Sequence, residues 1–539
     1  MEVPINGEIV TLQVLLPRDF PSVPPRIRVT PAEKYHLHIP HIEEDGLLCI
    51  YPSGVEFNST ATVGGIAPTW ARARELLENP DLDDFFEEFP SYWRINTGSR
   101  FEVLSLYSGE TPLVSHGLAN DSTSVIGETE AVLKQWWKNH KGDPKSMPPL
   151  TPVRRLDLTK SLYPFEFPKT LADFFELVDG QDRTLVAQFF RSVAEKPQPS
   201  FVVLRIPAPS GYVEGLVELP ALSLANRSVV RRGFRPGRVP LPVVQSRAHA
   251  ILRQTPLSRF TMQPVVHSHI HSRGGNGIDL AGKTVIVVGC GSLGGYIAHL
   301  FAKAGIGRLI LIDKEMLGWD NVGRHILGGR FVGFSKAKSL ARVLRMEMPH
   351  LRVEAFAAAW RDVHDLQSLA FSTCDLFVST VGSWTAEHDL NYLLRKGDLP
   401  PAGLFTWIEA HAVAGHAVLV HPTQGGCMEC VMDPWGAYAD RTCEPGPSAR
   451  VSAGCAGSYQ PYGVAEMLPT ASLAVQTGVD FLTGRITSSE RRSWLGPESL
   501  YRQHHLTVLS PWVNKLALQA YGSIHHEALV PAASCRCCN

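Results

Sequence analysis

The chain has 539 residues, of which 44% are hydrophobic and 19% charged, and its formal net charge at pH 7 is -1. This composition is typical of a globular protein of roughly three domains, and the near-zero net charge gives no indication of a nucleic-acid partner. No apolar run reaches the ~18 residues of a membrane span, and no basic segment followed by an apolar one opens the chain, so we expect a cytoplasmic protein with no membrane partner.

Residues 1–110 have the pattern of a small α+β domain. Strands are predicted over Ile9–Leu16 and Arg26–Val29 on either side of a proline-rich turn, and a helix with a proline near its start is predicted from Ala67. Between them lies Asp-Gly-Leu-Leu-Cys49. Taken alone, a cysteine in such a place is usually a buried small hydrophobe.

The order of features around Cys49 resembles that of ubiquitin-conjugating enzymes. These features are a strand, a Pro-Pro turn, a second strand, a His-Pro region, Asp-Gly-x-x-Cys and a tryptophan at a helix start. The resemblance implies that Cys49 carries a protein modifier as a thioester, which needs an accessible thiol beside donors for the oxyanion. The family's His-Pro-Asn motif is replaced by His38-Ile-Pro-His41, so its asparagine has no counterpart.

Residues 111–275 give fewer signals. The apolar segments Phe201–Ile206 and Val213–Leu219 predict strands, and the Arg231–Arg238 stretch is typical of a solvated loop. We expect a small α+β linker domain.

Residues 276–539 begin with a predicted βαβ unit. The apolar, β-branched strand Thr284–Val288 leads into Gly289-Cys-Gly291-Ser-Leu-Gly294 and an amphipathic helix, and the second strand, Arg308–Ile312, ends in Asp313. Glycines let the backbone approach a phosphate, the helix start offers free N–H groups, and the acid suits a ribose hydroxyl. The pattern predicts a Rossmann-like nucleotide site, for which an NAD dehydrogenase is the first interpretation.

Polar residues after the acid favour a different chemistry. Glu315, Asn321, Arg324 and Lys336 follow closely, and a dehydrogenase has no need of them. An enzyme that adenylates a carboxylate does, because it must hold a triphosphate and offset the charge that builds up as pyrophosphate leaves.

This stretch resembles the ubiquitin-activating enzyme superfamily, which includes the ThiF and MoeB sulfur-carrier adenylyltransferases. The resemblance implies ATP and Mg²⁺ as cofactors, a homodimer formed through the adenylation domain, and catalytic roles for Arg324 and Lys336. It implies the following nucleotide-binding residues: Gly289, Gly291, Gly294, Asp313, Glu315, Asn321, Arg324 and Lys336. The family also supplies an arginine from before the glycine strand, for which Arg273 is a candidate alongside a plain loop role.

Three positions depart from the family pattern. Asp313-Lys-Glu315 replaces Asp-x-Asp, and His325 replaces a glutamine. Near Gly382, where the family has an aspartate that helps to bind Mg²⁺·ATP, the sequence has no acid. Either Asp313 or Glu315 takes that role, or the alignment with the family slips at this position.

Two Cys-x-x-Cys pairs predict a structural zinc site. The chain has ten cysteines, and in a reducing compartment metal binding or catalysis is favoured over disulfides. Two such pairs suit tetrahedral Zn²⁺ because each pair spans one edge of the tetrahedron, and four sulfurs leave no open position. A redox pair and four unrelated cysteines are the alternatives, and Cys537 could replace either C-terminal ligand. The predicted ligands are Cys427, Cys430, Cys535 and Cys538.

A further cysteine precedes the predicted helix Ala465–Leu482. In related enzymes a cysteine on the loop before such a helix takes the activated modifier as a thioester. Its position and its flanking glycines favour Cys455, with Cys443 as the second choice. A structural loop cysteine is the alternative for either residue.

One adenylation site and two thiols predict a relay. The acyl group would pass from the adenylate to Cys455 and then to Cys49 before ligation to an acceptor protein. The domain order resembles the bacterial CD-NTase-associated fusion proteins of CBASS antiphage operons, which implies a CD-NTase C-terminus as the modifier. A simple sulfur-carrier adenylyltransferase and a non-catalytic nucleotide-fold scaffold are the alternatives, and the missing acid near Gly382 favours the scaffold.

Overall fold

The computed structural model describes most of the chain. The residues outside the description are 21, 52–65, 96–102, 108–114, 120–123, 142–143, 180–183, 187–188, 190–198, 223–226, 236–237, 273, 275–276, 367–370, 400–401, 434–435, 445–450, 453–457, 460, 510–511, 514–520 and 539.

Two compact units make up the described chain. The first contains residues 1–138 and 143–264, and the second contains residues 139–142 and 265–539. Each unit has hydrophobic cores of its own. Within the described residues, no helix combines the length and the apolar character needed to cross a membrane.

The first unit opens with a three-stranded antiparallel sheet of β1 (Glu2–Ile5), β2 (Glu8–Leu15) and β3 (Arg26–Thr30), in that order. Alternate residues of these strands are buried, as their apolar–polar alternation predicts. The buried residues pack against helix α1 (Ile66–Glu78), which has a proline in its first turn. Cys49 lies in the segment between β3 and α1.

An eight-stranded mixed sheet forms the rest of the first unit. Its strands are β4 (Val103–Ser105), β5 (Ser115–Ala119), β6 (Ser124–Gly127), β7 (Thr151–Asp157), β8 (Ser200–Ala208), β9 (Gly211–Leu219), β10 (Ser258–Phe260) and β11 (Met262–Pro264). Their spatial order is β10-β9-β8-β7-β5-β6-β4-β11. The apolar segments near residues 201–206 and 213–219 form the antiparallel β8–β9 hairpin. The helices of this region are α2 (Asp84–Glu87), α3 (Phe89–Arg94), α4 (Glu130–Lys141), α5 (Leu171–Val178), α6 (Ser228–Arg231) and α7 (Leu241–Gln254).

A tryptophan on α3 packs into the core of this sheet. Trp93 is fully buried in one cluster with Leu204 and Val217. A Cβ on Gly215 would lie 2.4 Å from the Trp93 ring, so the glycine makes room for the indole. The indole N–H donates to the Phe260 carbonyl oxygen at 3.1 Å. The segment after α1 is therefore built into the core of the eight-stranded sheet.

The second unit is a doubly covered α/β domain. Its strands are β12 (Thr284–Val288), β13 (Arg308–Ile312), β14 (Arg352–Phe356), β15 (Leu376–Ser379), β16 (Gly403–Ile408), β17 (Ala414–Val420), β18 (Val451–Ser452), β19 (Ser458–Tyr459), β20 (Glu490–Leu495) and β21 (Ile524–Ala528). The main sheet has the order β14-β13-β12-β15-β16-β17-β20-β21, in which β14 to β16 run parallel and the last three strands pair antiparallel. Every residue of β12 is buried, as expected for a strand covered on both faces.

Helices cover this sheet. They are α8 (His267–Ile270), α9 (Ser292–Lys303), α10 (Trp319–Val322), α11 (Lys336–Glu347), α12 (Trp360–Leu366), α13 (Trp384–Lys396), α14 (Val464–Leu482) and α15 (Glu498–Gln503). The buried faces of α9 and α14 share one core with β12 and β13. The predicted bounds of β12 and β13 and the mixed fold class, with a Rossmann-like C-terminal region, are confirmed.

Candidate functional site

The glycine turn joins β12 to α9 at the carboxyl end of the strand. Gly289 has a φ of 90°, which glycine adopts without strain. A Cβ on Gly294 would lie 2.0 Å from the Gly289 carbonyl oxygen and 2.5 Å from Thr380 Oγ1, so no side chain fits there. A Cβ on Gly291, the N-cap of α9, would meet no described atom within 4 Å. The turn is closed on one side and open on the other, where a phosphate could reach the helix N-terminus.

Asp313 fixes this turn and borders a small cavity. Its Oδ2 accepts the Cys290 backbone N–H at 2.6 Å, and its Oδ1 accepts the Glu315 backbone N–H at 2.7 Å. The cavity has a volume of about 300 Å³, and Ile312 and Trp360 contribute apolar walls. Apolar walls beside the Asp313 carboxylate suit a nucleoside, with the base against carbon atoms and the ribose against the carboxylate.

Lys336 begins α11 with a buried ammonium group. Its side chain is 7% exposed, and its Nζ lies 2.6 Å from Glu315 Oε2, whereas the Glu315 side chain is 61% exposed. The Lys336 backbone N–H also donates to the Glu315 carbonyl oxygen at 3.0 Å. A buried ammonium group needs a counter-charge, and Glu315 supplies it from the rim of the small cavity.

Asn321 and Arg324 lie on the short connection that contains α10. The Asn321 side-chain oxygen accepts the Gly318 backbone N–H at 3.1 Å, which closes the start of α10. Arg324 Nη1 donates to the Asp320 carbonyl oxygen at 3.1 Å, and the guanidinium carbon lies 5.8 Å from the centre of the Tyr462 ring. The guanidinium group is partly exposed and keeps donors for a further ligand.

His325 ties this connection to the glycine turn. Its Nδ1 accepts the Leu327 backbone N–H at 3.0 Å, so its Nε2 carries the proton and donates to the Cys290 carbonyl oxygen at 2.7 Å. Burial lowers the pKa of His325, which keeps the ring neutral. A glutamine amide also offers one donor and one acceptor, and this equivalence explains physically why a histidine can replace it.

A larger cavity lies on the other side of Gly291. Its volume is about 720 Å³, and its lining includes Gly291, Thr380, Glu387, Glu409 and Tyr462. Gly291 and Thr380 also border the small cavity, so the two cavities share a wall at the start of α9. A ligand in one cavity would therefore lie directly beside a ligand in the other.

Glu387 places a carboxylate in the larger cavity. It is 4% exposed, and its Oε1 accepts the Gly382 backbone N–H at 3.3 Å and the Ser379 hydroxyl at 3.5 Å. Burial raises the pKa of Glu387 to about 7, and the described residues give it no cationic partner. No acid stands at the end of β15 itself, where the family pattern places one. The missed signal is an acid in the first turn of α13, which points back toward that end.

A second carboxylate in the larger cavity, that of Glu409, contacts the Cys443 thiol. Glu409 accepts the Thr442 backbone N–H at 2.7 Å and a hydrogen bond from His416 Nε2 at 2.8 Å. Burial would raise the pKa of Glu409, but these hydrogen bonds outweigh it and the net pKa is lowered. Cys443 Sγ lies 3.5 Å from Glu409 Oε2, and burial together with this carboxylate raises the pKa of the thiol to about 12. This environment disfavours a thiolate at Cys443.

The four predicted zinc ligands lie together. Cys427 Sγ is 3.9 Å from Cys430 Sγ and 3.5 Å from Cys535 Sγ, and Cys430 Sγ is 3.5 Å from Cys538 Sγ. A tetrahedral ion with metal–sulfur bonds of ~2.3 Å needs sulfur–sulfur edges of ~3.8 Å, so the donor set fits Zn²⁺. Cys537 lies outside this group, and its backbone N–H donates to Glu429 Oε2.

Cys49 is exposed and lies beside acidic side chains. Its backbone N–H donates to the His41 carbonyl oxygen at 2.7 Å, and His41 Nε2 is 2.9 Å from Asp84 Oδ2. The Tyr92 hydroxyl accepts the His41 backbone N–H at 2.9 Å. Partial burial, followed by the charge of Glu88, raises the pKa of the Cys49 thiol. The thiol is thus accessible but weakly ionised.

Two predicted residues lie outside the described part of the chain. These are Cys455, on the segment before α14, and Arg273, upstream of β12. Their roles stay predictions from the sequence.

Comparison with protein families now decides the domain types. Residues 275–488 match the ThiF family, and residues 1–101 match Prokaryotic E2 family B. The chain fuses an E2-like domain to a ThiF-type domain. The predicted fusion of conjugating-like and activating-like domains is confirmed, with the glycine turn in the ThiF domain and Cys49 in the E2-like domain.

Curated relatives match parts of this chain. The ATP-dependent ubiquitin transferase-like protein Cap2 of Pseudomonas aeruginosa is 30% identical over 223 residues, which cover 40% of this chain and 39% of that protein. The ubiquitin-like modifier-activating enzyme 5 of Bombyx mori is 28% identical over 161 residues, covering 28% of this chain and 39% of that enzyme. The adenylyltransferase and sulfurtransferase MOCS3 of Mus musculus is 39% identical over 112 residues, covering 21% and 23%.

These alignments span at most 39% of each relative's length. The chain therefore spans less than half of the length of the curated relatives that it matches.

Proposed function

We propose that the ThiF domain uses ATP to adenylate the C-terminal carboxylate of a protein modifier. The shared wall between the two cavities carries this proposal. ATP in the small cavity would place its phosphates at the Gly291 end of α9, and a peptide tail in the large cavity would reach the same wall. Attack of the carboxylate oxygen on the α-phosphorus forms the acyl-adenylate and releases pyrophosphate.

Charged side chains around the wall have separate roles in this step. Lys336 would exchange Glu315 for a phosphate oxygen, and Arg324 would add a second cation where charge develops on the leaving pyrophosphate. Asp313 would hold the ribose while continuing to fix the turn.

Mg²⁺ bound with ATP supplies positive charge beside the phosphates. Glu387 and Asp313 are the carboxylates that would hold it, because oxygen donors suit this ion and a buried carboxylate without a cationic partner needs a counter-charge. Glu387 thus supplies an acid where the sequence pattern lacked one.

The acyl group would next pass through two thiols to an acceptor amine. The Cys455 thiolate attacks the acyl carbon and AMP leaves, and exchange with the Cys49 thiol then moves the acyl group to the E2-like domain. Cys455 is favoured over Cys443 because burial and Glu409 disfavour a Cys443 thiolate. Glu88, whose charge acts on Cys49, and Asp84, which pairs with the neighbouring His41, would help to remove a proton from the attacking amine. By resemblance, the modifier is a CD-NTase C-terminus, the setting is antiphage defence, and the ThiF domain forms a homodimer.

Two assays test the adenylation and relay steps separately. ATP–pyrophosphate exchange that depends on the modifier measures adenylation, and a modifier adduct that dithiothreitol cleaves measures thioester formation. We expect Cys455→Ala to keep exchange and lose the adduct. Cys49→Ala should keep exchange and lose the adduct on the E2-like domain, and Cys49→Ser should form an adduct that resists dithiothreitol. Cys443→Ala is the matched control and should behave as the unchanged chain.

The outcomes separate the competing functions. ATP–pyrophosphate exchange without any thiol adduct would indicate a sulfur-carrier-type adenylyltransferase. Absence of exchange with tightly bound ATP would leave a nucleotide-binding scaffold. An adduct lost in Cys443→Ala and kept in Cys455→Ala would move the nucleophile to Cys443.

A further inference from the structure

A cluster of histidines lies in the second unit, outside the adenylation site. His267 and His271 come from α8 and the residue after it, and His350 comes from the turn before β14. One nitrogen from each ring lies within 4.8 Å of the other two. We propose that these three imidazoles bind one divalent transition-metal ion of the Zn²⁺ type.

The distances between the rings fit a shared ion. His271 Nε2 lies 3.1 Å from His350 Nε2, and the centre of the His267 ring is 4.6 Å from that of His271 and 5.2 Å from that of His350. A tetrahedral ion with metal–nitrogen bonds of ~2.0–2.1 Å requires nitrogen–nitrogen edges of ~3.3–3.4 Å. The 3.1 Å between the His271 and His350 nitrogens is close to this edge length. The His267 nitrogen lies within 4.8 Å of the other two and would have to move closer to complete the site.

Hydrogen bonding outside the cluster orients one ring as a ligand. His267 Nε2 lies 2.7 Å from the Gly305 carbonyl oxygen, to which it donates a proton. That tautomer leaves Nδ1 of His267 unprotonated, and metal-bound histidines characteristically use their second nitrogen in this way. A Cβ on Gly305 would lie 3.3 Å from the His267 ring and 3.5 Å from the His271 ring, so this glycine lets both rings pack against the backbone.

His350 has a buried nitrogen with no protein partner. Its Nδ1 makes no hydrogen bond to any described residue, and its Nε2 contacts only the His271 ring within hydrogen-bonding distance. Buried polar atoms are normally satisfied, yet the only described hydrogen-bond partner of this ring is the His271 nitrogen. An ion bound by the Nε2 atoms of His271 and His350 would give both rings a partner. An all-imidazole donor set favours Zn²⁺, Ni²⁺ or Cu²⁺ over Mg²⁺ and Ca²⁺.

The site is separate from the ATP site. Gly305 and His350 lie in the turns just before β13 and β14, so the cluster lies near the amino ends of the parallel strands. The glycine turn lies at the opposite, carboxyl end of β12. The ion would clamp residues 267–271 to the turn before β14, with water in its fourth position. This role is structural and does not depend on the adenylation chemistry.

Metal content of the full chain tests this assignment. Zn²⁺-loaded protein is passed over a chelating resin, and bound zinc is measured by mass spectrometry. We expect His350→Ala and His271→Ala each to lose about one equivalent of zinc per chain. His269→Ala is the matched control, because His269 lies between two of the ligands, is exposed and does not belong to the cluster, and it should lose none.

Cobalt substitution keeps this result apart from the cysteine site. Sulfur-to-cobalt charge-transfer absorption reports only the four-cysteine site of Cys427, Cys430, Cys535 and Cys538. This absorption should persist in His350→Ala and disappear in Cys430→Ser. Added Zn²⁺ should raise the melting temperature of Cys430→Ser, and His271→Ala in the same background should abolish that rise. Unchanged zinc content in both histidine variants, or no zinc-dependent rise in Cys430→Ser, would show that the rings are held by hydrogen bonds alone.

Discussion

The glycine turn and the Cys49 loop are built from contacts of different range. In the glycine turn, the Asp313–Cys290 bond spans 23 residues and the Lys336–Glu315 pair spans 21. In the Cys49 loop, His41 contacts Asp84 and Tyr92 across 43 and 51 residues. The Asp313 and Lys336 contacts of the first site lie within residues 289–336, and Thr380 and Glu387 join that site from later elements. The second site depends on helices that follow its own small sheet. We therefore expect single substitutions to cause large losses of activity or stability in the first site and smaller changes in the second.

The largest expected effect comes from adding one carbon atom to the glycine turn. Gly294→Ala puts a Cβ against the Gly289 carbonyl oxygen, so we expect loss of ATP–pyrophosphate exchange and a destabilisation of ~1–3 kcal/mol or more. Gly291→Ala, where the space is open, should keep the melting temperature but lower exchange, because the methyl group occupies the phosphate approach. Equal stability losses in the two variants would contradict this division of the turn.

Loss of the buried ammonium group should be the next largest effect. Lys336→Met keeps the length of the side chain and removes its charge, so exchange should fall by ~10²- to 10³-fold. Lys338→Ala, on the exposed face of the same helix, is the control and should change exchange little. A similar loss in both variants would indicate general electrostatic attraction of ATP in place of a positioned cation.

Glu387 should make stability depend on pH. Its pKa in the folded chain, about 7, is above its ordinary value of 4.5, so the folded state holds a proton that the unfolded state has released. Stability is therefore greatest below pH 4.5 for this group and decreases as the pH rises to about 7, after which its contribution is constant. Glu387→Gln should flatten the melting temperature between pH 5 and 7, and Asp389→Asn on the same helix should not. Mg²⁺·ATP should stabilise the unchanged chain more than Glu387→Gln.

The smallest expected effect lies in the Cys49 loop. The charge of Glu88 contributes to the raised pKa of the thiol, so Glu88→Gln should increase the thiolate fraction and modestly speed alkylation of Cys49 by iodoacetamide at pH 8. Glu87→Gln is the neighbouring exposed control. Equal rates in the two variants would show that the charge of Glu88 does not contribute to the raised pKa of the thiol.

The sequence predicted the parts that a residue pattern marks directly. The bounds of β12 and β13 follow from their apolar runs, and the Cys427–Cys538 group follows from the two Cys-x-x-Cys pairs. Glu387 was missed because its role arises from the geometry of a helix start, which no spacing rule for the strand end contains. The partners of Cys49 and the His350 cluster depend on tertiary packing across distant segments, and a single sequence does not encode such pairings as a readable pattern.

The wall that Gly291 and Thr380 give to both cavities has a thermodynamic consequence. Suppose that ATP occupies one side and a polypeptide tail the other. If bound ATP changes the affinity for the tail by some factor, then the bound tail changes the affinity for ATP by the same factor. Titrating each ligand in the absence and presence of the other therefore measures the same coupling free energy twice. A wall of one glycine and one threonine would thus make nucleotide occupancy and modifier recognition a single linked equilibrium.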